Sequence, residues 1–85
     1  MTTIIKFNIK NKNNKSEYYL KKTYNEPLFF PMGTYVETGI YMLKIVGTYF
    51  DVVDNIFSII LEDVKETDDK FNIRLDQLKL FGWEL

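Results

Sequence analysis

One stretch decides the fold class, residues 40–66, which reads IYMLKIVGTYFDVVDNIFSIILEDVKE. Two runs rich in β-branched and aromatic residues flank the polar pair Asp54-Asn55, and this pattern predicts a β-hairpin. Asp54 and Asn55 can form a tight primed turn, in which Val53 lies opposite Ile56. Both faces of this hairpin are apolar near the turn. It should therefore lie in the middle of a sheet or in a sheet that curves into a barrel.

The register of this hairpin has two alternatives. The Asp54-Asn55 turn pairs Tyr49 with Ile60 and Ile45 with Val64, whereas a turn at Asp51 is the competing choice. A slip of one residue would exchange the two faces of the hairpin. Gly47 interrupts the first strand and predicts a bulge or bend there.

Composition favours a single β domain over residues 1–85. Hydrophobic residues make up 46% of the chain and aromatic residues 16%, which suits a small core built from large side chains. The chain has no cysteine, histidine or alanine. It therefore lacks a disulfide framework, the commonest general base and the best helix former. No signal peptide opens the chain, and no apolar run approaches the roughly 20 residues of a membrane span. We expect a protein that stays in the cytoplasm of a bacterial host cell and does not bind a membrane.

Alternation near the start of the chain predicts another hairpin. Ile5, Phe7 and Ile9 alternate with polar residues, as in a strand with one buried face. A polar loop at 11–15 separates this strand from a second extended segment at 16–25. Residues 34–37 are a further short candidate strand.

The segment 26–33, Glu-Pro-Leu-Phe-Phe-Pro-Met-Gly, is apolar yet contains two prolines, which exclude a central strand. Two interpretations stay open. The segment either plugs an open end of the core, or it exposes Phe29, Phe30 and Met32 as an anchor for a protein partner. Neighbouring residues of an extended chain point in opposite directions, so we expect one of Phe29 and Phe30 to be buried and the other exposed.

The C-terminal pattern is ambiguous. Residues 66–70 are predicted to form a solvated turn, and Phe71, Ile73 and Leu75 then alternate with polar residues as in a strand. The alternation changes phase after Leu75. Either bulges lie at Asp76-Gln77 and Gly82, or residues 75–81 form a helical turn capped by Gly82. The bulged strand is the preferred interpretation.

These patterns together predict an all-β fold of five or six strands. The predicted arrangement is a mostly antiparallel meander curled into a small OB-like or SH3-like barrel, with little or no helix. Helix should occupy less than about a fifth of the residues, against a base rate near one third.

No pattern predicts catalysis, a metal or a cofactor. The serines Ser16 and Ser58 have no histidine base. Asp51 with Asp54, and the neighbouring pair at 68–69, lack the ligand number and glycine placement of a calcium loop. We expect a protein that is not an enzyme.

Charge is unevenly distributed. Residues 1–50 contain seven Lys and three Glu, giving +4, and residues 51–85 contain nine acidic and four basic residues, giving −5. In the first half, lysines alternate with tyrosines, a combination that can bind phosphates and stack bases. This predicts, as an alternative, an OB-like module for single-stranded nucleic acid. Its candidate residues are Lys10, Lys12, Lys15, Tyr19, Lys21 and Lys22. A sequence pI of about 5.3 argues against it.

The acidic half suggests a protein partner. Asp51, Asp54 and Glu62 can present a negative surface to a basic groove, as small phage inhibitors of nucleases do, the anti-CRISPR proteins among them. Ten of the eleven basic residues are lysine, which fits an AT-rich genome such as that of a low-GC bacterium or its phages.

A resemblance supports this origin. Leu61-Glu62-Asp63-Val64 and, further on, Arg74-Leu75-Asp76-Gln77-Leu78-Lys79-Leu80 resemble segments of small phage β proteins. Those proteins carry Asp-His-Leu-Trp in the second segment, where this chain has Gln77 and Lys79 in place of His and Trp. The resemblance covers roughly the C-terminal half and implies a phage or mobile-element origin.

The leading hypothesis is therefore a non-enzymatic protein-binding module that inhibits a host defence or nucleic-acid-handling protein. Its candidate partner-binding residues are Phe29, Phe30, Met32, Asp51, Asp54 and Glu62. A virion structural or assembly subunit is a further alternative, and a homo-oligomer is compatible with all of these.

Overall fold

Six strands form one mixed sheet, and a single helix lies against it. The computed structural model describes residues 1–85, of which 48% are strand and 15% helix. In chain order the elements are β1 (Thr2–Asn11), β2 (Glu17–Tyr24), β3 (Tyr35–Glu37), β4 (Met42–Asp51), β5 (Ile56–Leu61), β6 (Val64–Glu66) and α1 (Asp68–Leu80). The strand order is β2-β1-β5-β4-β3, and β6 pairs with β1 beyond the end of β5.

Strand β1 is paired along both of its edges. One edge bonds antiparallel to β2, and the other bonds parallel to β5 and then to β6. Every second residue of β1, from Thr3 to Asn11, is buried, while the residues between are only partly buried. This alternation defines two faces of the sheet. We call the face with the buried residues the core face and the opposite one the open face.

Helix α1 covers part of the core face. Its residues Phe71, Leu75 and Leu78 are buried, and their spacing places them on one side of a helix. Asp68 and Asp69 lie in the first turn and Lys79 in the last, which complements the helix dipole. The predicted bulged strand over this region is therefore wrong.

Gly82 ends the helix and turns the chain back onto the sheet. Its φ of 92° is a left-handed conformation that favours glycine, and the N–H of Trp83 donates to the Leu78 carbonyl at 3.1 Å. Trp83 then packs edge-on against Phe7, with ring centroids 4.9 Å apart, and its indole N–H donates to the Thr38 carbonyl at 2.9 Å. The alternative interpretation, a helical turn over residues 75–81 capped by Gly82, is closer to the structure, although the helix begins earlier, at Asp68.

The β4–β5 hairpin exists, but its turn is longer than predicted. Asp51 pairs with Ile56, so residues 52–55 form a four-residue loop in which Asn55 has a φ of 58°. Tyr49 lies opposite Ser58 rather than Ile60. Because this register differs from the predicted one by two residues, residues 47–51 keep their predicted faces. Ile45, beyond the bulge, lies on the face opposite to the predicted one, because it pairs with Leu61.

Gly47 marks a bulge, as predicted, since the register shifts between Ile45 and Gly47. As a result Ile45 pairs with Leu61, and Val64 pairs with Ile9 of β1 instead.

The coarse fold prediction is confirmed and the finer one is wrong. The chain is mostly β, has six strands and stays below the predicted helix limit. The sheet is not closed into a barrel. The reason is the parallel pairing of β5 with β1, which places β5 between β1 and β4 and leaves β2 and β3 at opposite ends of the strand order.

Two leucines of α1 form a matched pair that tests this packing. Leu78 is fully buried and Leu80 is 86% exposed. Leu78→Ala should lower the free energy of unfolding by about 2–5 kcal/mol, because it leaves a cavity in the core. Leu80→Ala should change it by less than about 0.5 kcal/mol. Urea denaturation followed by Trp83 fluorescence measures both, and equal effects would contradict the helix position.

Candidate functional site

A group of aromatic and apolar side chains lies around the half-buried Phe57 at one end of the core face. Phe29 packs against Phe57 with ring centroids 5.3 Å apart, and Phe50 lies opposite Phe57 in the β4–β5 pair. Phe30 and Met32 follow along the same segment and are also exposed. We call these five residues the aromatic surface.

A buried hydroxyl fixes the segment that carries this surface. The Thr3 side chain, fully buried in β1, donates to the Glu26 carbonyl at 2.8 Å and accepts from the Leu28 N–H at 3.1 Å. The segment therefore starts against β1 and passes Phe57 of β5.

The far end of the segment is fixed on β4. The N–H of Thr34 donates to the Pro31 carbonyl at 3.1 Å across a turn that contains Gly33. The φ of 86° at Gly33 is one that favours glycine. The Gly33 N–H then donates to the Ile45 carbonyl at 3.1 Å. Both ends of the segment are thus anchored to the sheet.

The expectation of one buried and one exposed phenylalanine is wrong. Phe29 is 66% exposed and Phe30 is 40% exposed, so neither fills the core. There is no barrel end to close. The segment instead covers the end of the core face near Thr3 and leaves Phe29 and Phe30 partly in solvent. Exposed and contiguous apolar side chains are what a binding surface presents.

The structure does not bring the three predicted acidic residues together. The Asp51 carboxylate accepts from the N–H groups of Val53 at 2.9 Å and Asp54 at 3.2 Å, so it stabilises the hairpin turn. Asp54 lies in that turn, whereas Glu62 follows the other end of β5. β5 has six residues, and at about 3.3 Å per residue the two ends are roughly 17–20 Å apart.

The predicted lysine strip divides between three places. Tyr19 and Lys21 lie on the open face, where they pair with Asn8 and Lys6, while Lys22 lies on the core face with its ammonium 5.5 Å from the Trp83 ring. Lys12 and Lys15 belong to the β1–β2 loop.

Lys10 is already paired with acids. Its ammonium lies 3.0 Å from the Asp63 carboxylate and 3.8 Å from that of Glu17. The hydrogen bond to Asp63 raises the pKa of Lys10 above its ordinary value. Its charge is therefore less available to a phosphate than the prediction assumed.

The open face has a shallow depression of about 290 Å³. Lys6 crosses it, donating to the Tyr49 hydroxyl at 2.6 Å, and this hydrogen bond lowers the pKa of Tyr49. The depression is lined by Lys6, Phe7, Asn8, Tyr19, Tyr49, Ile60, Leu61 and Asp63.

A polar cluster of Tyr41, Glu66 and Arg74 links the helix to the sheet. The Tyr41 hydroxyl donates to Glu66 at 2.5 Å, and the same carboxylate lies 3.5 Å from the Arg74 Nε of α1. Burial, reinforced by the bond to Glu66, raises the pKa of Tyr41 well above its ordinary value. The phenol is therefore held as a hydrogen-bond donor and is not a reactive phenolate.

No three or more histidine, cysteine or acidic side chains come together to hold a metal ion. The single helix is too short and too polar to cross a membrane.

Comparison with known proteins adds no family. No protein-family model matches the chain, and neither does any curated protein or solved structure.

Sequence reasoning missed Phe50 and Phe57 as part of the surface. The sequence does show them as large aromatic residues at the turn end of the hairpin. What it does not show is that α1 covers only the other end of the core face, which leaves these rings to the Pro-rich segment.

The Thr3 hydroxyl tests how this surface is positioned. Thr3→Val keeps the side-chain shape but removes both hydrogen bonds to the segment, so residues 26–32 should lose their fixed position while the sheet stays folded. Hydrogen exchange followed by mass spectrometry should show faster exchange at Leu28. Limited proteolysis should cleave residues 26–32 faster than in the wild type. Thr23→Val, on the exposed side of β2, is the control. Unchanged exchange in Thr3→Val would contradict the anchoring role.

Proposed function

We propose that this protein is a non-enzymatic protein-binding module whose aromatic surface anchors a protein partner. The observation that carries the proposal is the exposure of Phe29, Phe30 and Met32 in a segment fixed at both ends. Anchors of protein interfaces are enriched in aromatic residues. A segment held in place before binding loses less conformational entropy when the partner arrives.

The proposed partner class rests on the sequence resemblance. The resemblance to small phage β proteins supports an inhibitor of a host defence or nucleic-acid-handling protein, with an anti-CRISPR-like mode of action by occupation. Of the predicted acidic residues, Asp54 is adjacent to the exposed Val53 in the β4–β5 turn. It is the acidic group best placed to meet a basic residue of such a partner.

Alanine variants of the two adjacent phenylalanines test this function. Because both rings are exposed, Phe29→Ala and Phe30→Ala should each leave the protein folded. Each should weaken partner binding by about 2 kcal/mol or more, as expected for an interface anchor. The control is Ile73→Ala, since Ile73 is an exposed apolar residue of α1.

The measurement has two stages. Tagged wild-type protein and the three variants are used to capture proteins from a low-GC bacterial lysate, and the captured partner is then assayed for its own activity. A true partner is retained by the wild type and by Ile73→Ala, and is lost with Phe29→Ala. Inhibition of that partner by the wild type supports the inhibitor role. Equal capture by all variants would overturn the role of the aromatic surface, and capture of virion components alone would favour an assembly subunit.

A second candidate function rests on the open face. Tyr19, which is 67% exposed, lies beside Lys21 and the depression crossed by Lys6. Exposed aromatic rings next to lysines suit stacking of single-stranded bases with contacts to phosphates. The nearby acidic residues Asp63 and Glu17 reduce the positive charge, so this candidate stands second.

Two adjacent lysines separate this candidate from the first. Lys21→Glu changes the open face, whereas Lys22→Glu makes the same charge change on the core face. If the open face binds nucleic acid, Lys21→Glu should abolish binding of a labelled single-stranded oligonucleotide at low salt, and Lys22→Glu should weaken it much less. The wild-type affinity should fall steeply as salt rises. Fluorescence anisotropy measures this, and no binding by the wild type at 20–50 mM salt, about the low end of the usual range, removes the candidate.

A further inference from the structure

The outer edge of β4 has a partner along only part of its length. β3 and the residues just before it bond to β4 as far as Ile45, which donates to the Thr34 carbonyl at 2.8 Å. Beyond Ile45, no backbone hydrogen bond reaches β4 from that side. We call residues 46–51 on this side the free edge.

The direction of the backbone groups on the free edge follows from the neighbouring strands. The first N–H of β1 donates to the Asn55 carbonyl, so Asn55 faces β1. Successive strand residues direct their backbone N–H and C=O groups to alternate sides. The backbone groups of Ser58 therefore point to β4, and those of its partner Tyr49 point to β5. Thr48 and Phe50 must then direct their N–H and C=O groups outward, away from β5.

The free edge lacks the usual protection against strand addition. It contains no lysine and no proline, and Val46, Tyr49 and Phe50 are exposed large hydrophobic residues along it. The adjoining turn adds Val52, which is 79% exposed. An unpaired apolar edge of this kind is a template for another strand.

We propose that a second copy of this chain occupies the free edge, so that two β4 strands pair antiparallel about a twofold axis at Tyr49. In this register Thr48 lies opposite the partner's Phe50, and Phe50 opposite the partner's Thr48. Each of these facing pairs exchanges two hydrogen bonds. Every outward N–H and C=O of the two residues is then satisfied on both copies.

The same rotation matches the side chains. Tyr49 meets the partner's Tyr49 on the open face, an aromatic cross-strand pair. Val46, the extra residue of the bulge, lies level with the partner's Val52 in this register. An isologous contact of this kind closes as a dimer and does not propagate.

Charge also fits the second copy. The bulge at Gly47 places Lys44 and Asp51 on the same open face, and Lys44 forms no ion pair within its own chain. In the proposed register the partner's Asp51 lies opposite Gly47, one diagonal step from Lys44. Long side chains reach across such a diagonal. Two symmetric Lys44–Asp51 pairs therefore flank the axis, which favours a second copy over an unrelated extended peptide.

The mass of the wild-type protein is the first test. Light scattering after gel filtration should give twice the 10.2 kDa chain mass at high concentration. A single-chain mass at a concentration of ~1 mM, where even a millimolar Kd populates a complex, overturns the proposal.

A single cysteine tests the register. The chain has no cysteine, so Tyr49→Cys introduces one thiol at the proposed axis. Directly opposed residues of a non-hydrogen-bonded pair have Cα atoms about 4.5 Å apart, within the range of a disulfide. Under mild oxidation by oxidised glutathione, in which the two thiolates become one disulfide and two glutathione molecules are released as thiols, Tyr49→Cys should form a covalent dimer at least tenfold faster than Tyr19→Cys. Tyr19→Cys is the control because Tyr19 is a tyrosine of the same open face and is more exposed than Tyr49, at 67% against 51%. Equal rates overturn the proposal.

A proline at the edge supplies an independent test. Thr48→Pro removes an outward N–H that has no partner within the chain, and it should weaken dimerisation at least tenfold relative to Thr48→Ala. If Thr48→Pro does not fold, the cysteine pair still decides. A folded Thr48→Pro that dimerises like Thr48→Ala contradicts the proposed register.

Discussion

The two-sided pairing of β1 is the constraint on which the rest of this structure depends. β2 satisfies one edge of β1, while β5 and β6 share the other, interrupted only by Glu62 and Asp63. A strand paired on both edges and buried on one face must be covered on that face, because its apolar residues otherwise meet water. The chain supplies two covers, α1 with the following Trp83, which packs on Phe7, and the Pro-rich segment, which bonds to Thr3. The candidate binding surface exists because the second cover is a short irregular segment whose rings lie partly in solvent.

Much of the local structure was predictable because it is encoded by neighbouring residues. The alternation of Ile5, Phe7 and Ile9 predicted a strand with one buried face, and these residues are buried in β1. Gly47 predicted the bulge. The longer β4–β5 turn escaped prediction because Asp51 uses its carboxylate to hold the turn, which a count of turn residues does not reveal.

The C-terminal segment shows why the remainder was not predictable. Phe71, Ile73 and Leu75 fit a strand period, and Phe71, Leu75 and Leu78 fit a helix period equally well. Packing against the core face of the sheet decides between strand and helix. This face needs a cover near Phe7, and a helix can bury Leu78 there while leaving Ile73 in solvent. The barrel prediction failed for a related reason, since parallel pairing of β1 with β5 joins residues far apart in sequence and leaves no local signal.

The candidate site was predictable in its residues but not in its arrangement. Phe29, Phe30 and Met32 stood out because apolar residues between prolines need an explanation, and the structure exposes all three. Asp51 and Glu62 failed to assemble because Asp51 pairs with Ile56 at the start of β5, whereas Glu62 follows the end of β5. Two residues that flank a strand are close in sequence, but the length of the strand separates them in space.

The two outer edges of the sheet differ in cover and in charge, and this difference bears on the role of the free edge. On β2 the C-terminal chain returns to bond Lys21, with the Lys21 N–H donating to the Glu84 carbonyl at 2.8 Å and the Glu84 N–H returning a bond at 2.9 Å. That edge also carries charged side chains at Glu17 and Lys21, the usual protection against strand addition. The β4 edge has neither a covering segment nor a charged residue between Lys44 and Asp51. The apolar and unpaired character of this edge fits the proposed pairing with a second copy, whereas the β2 edge is protected against such pairing.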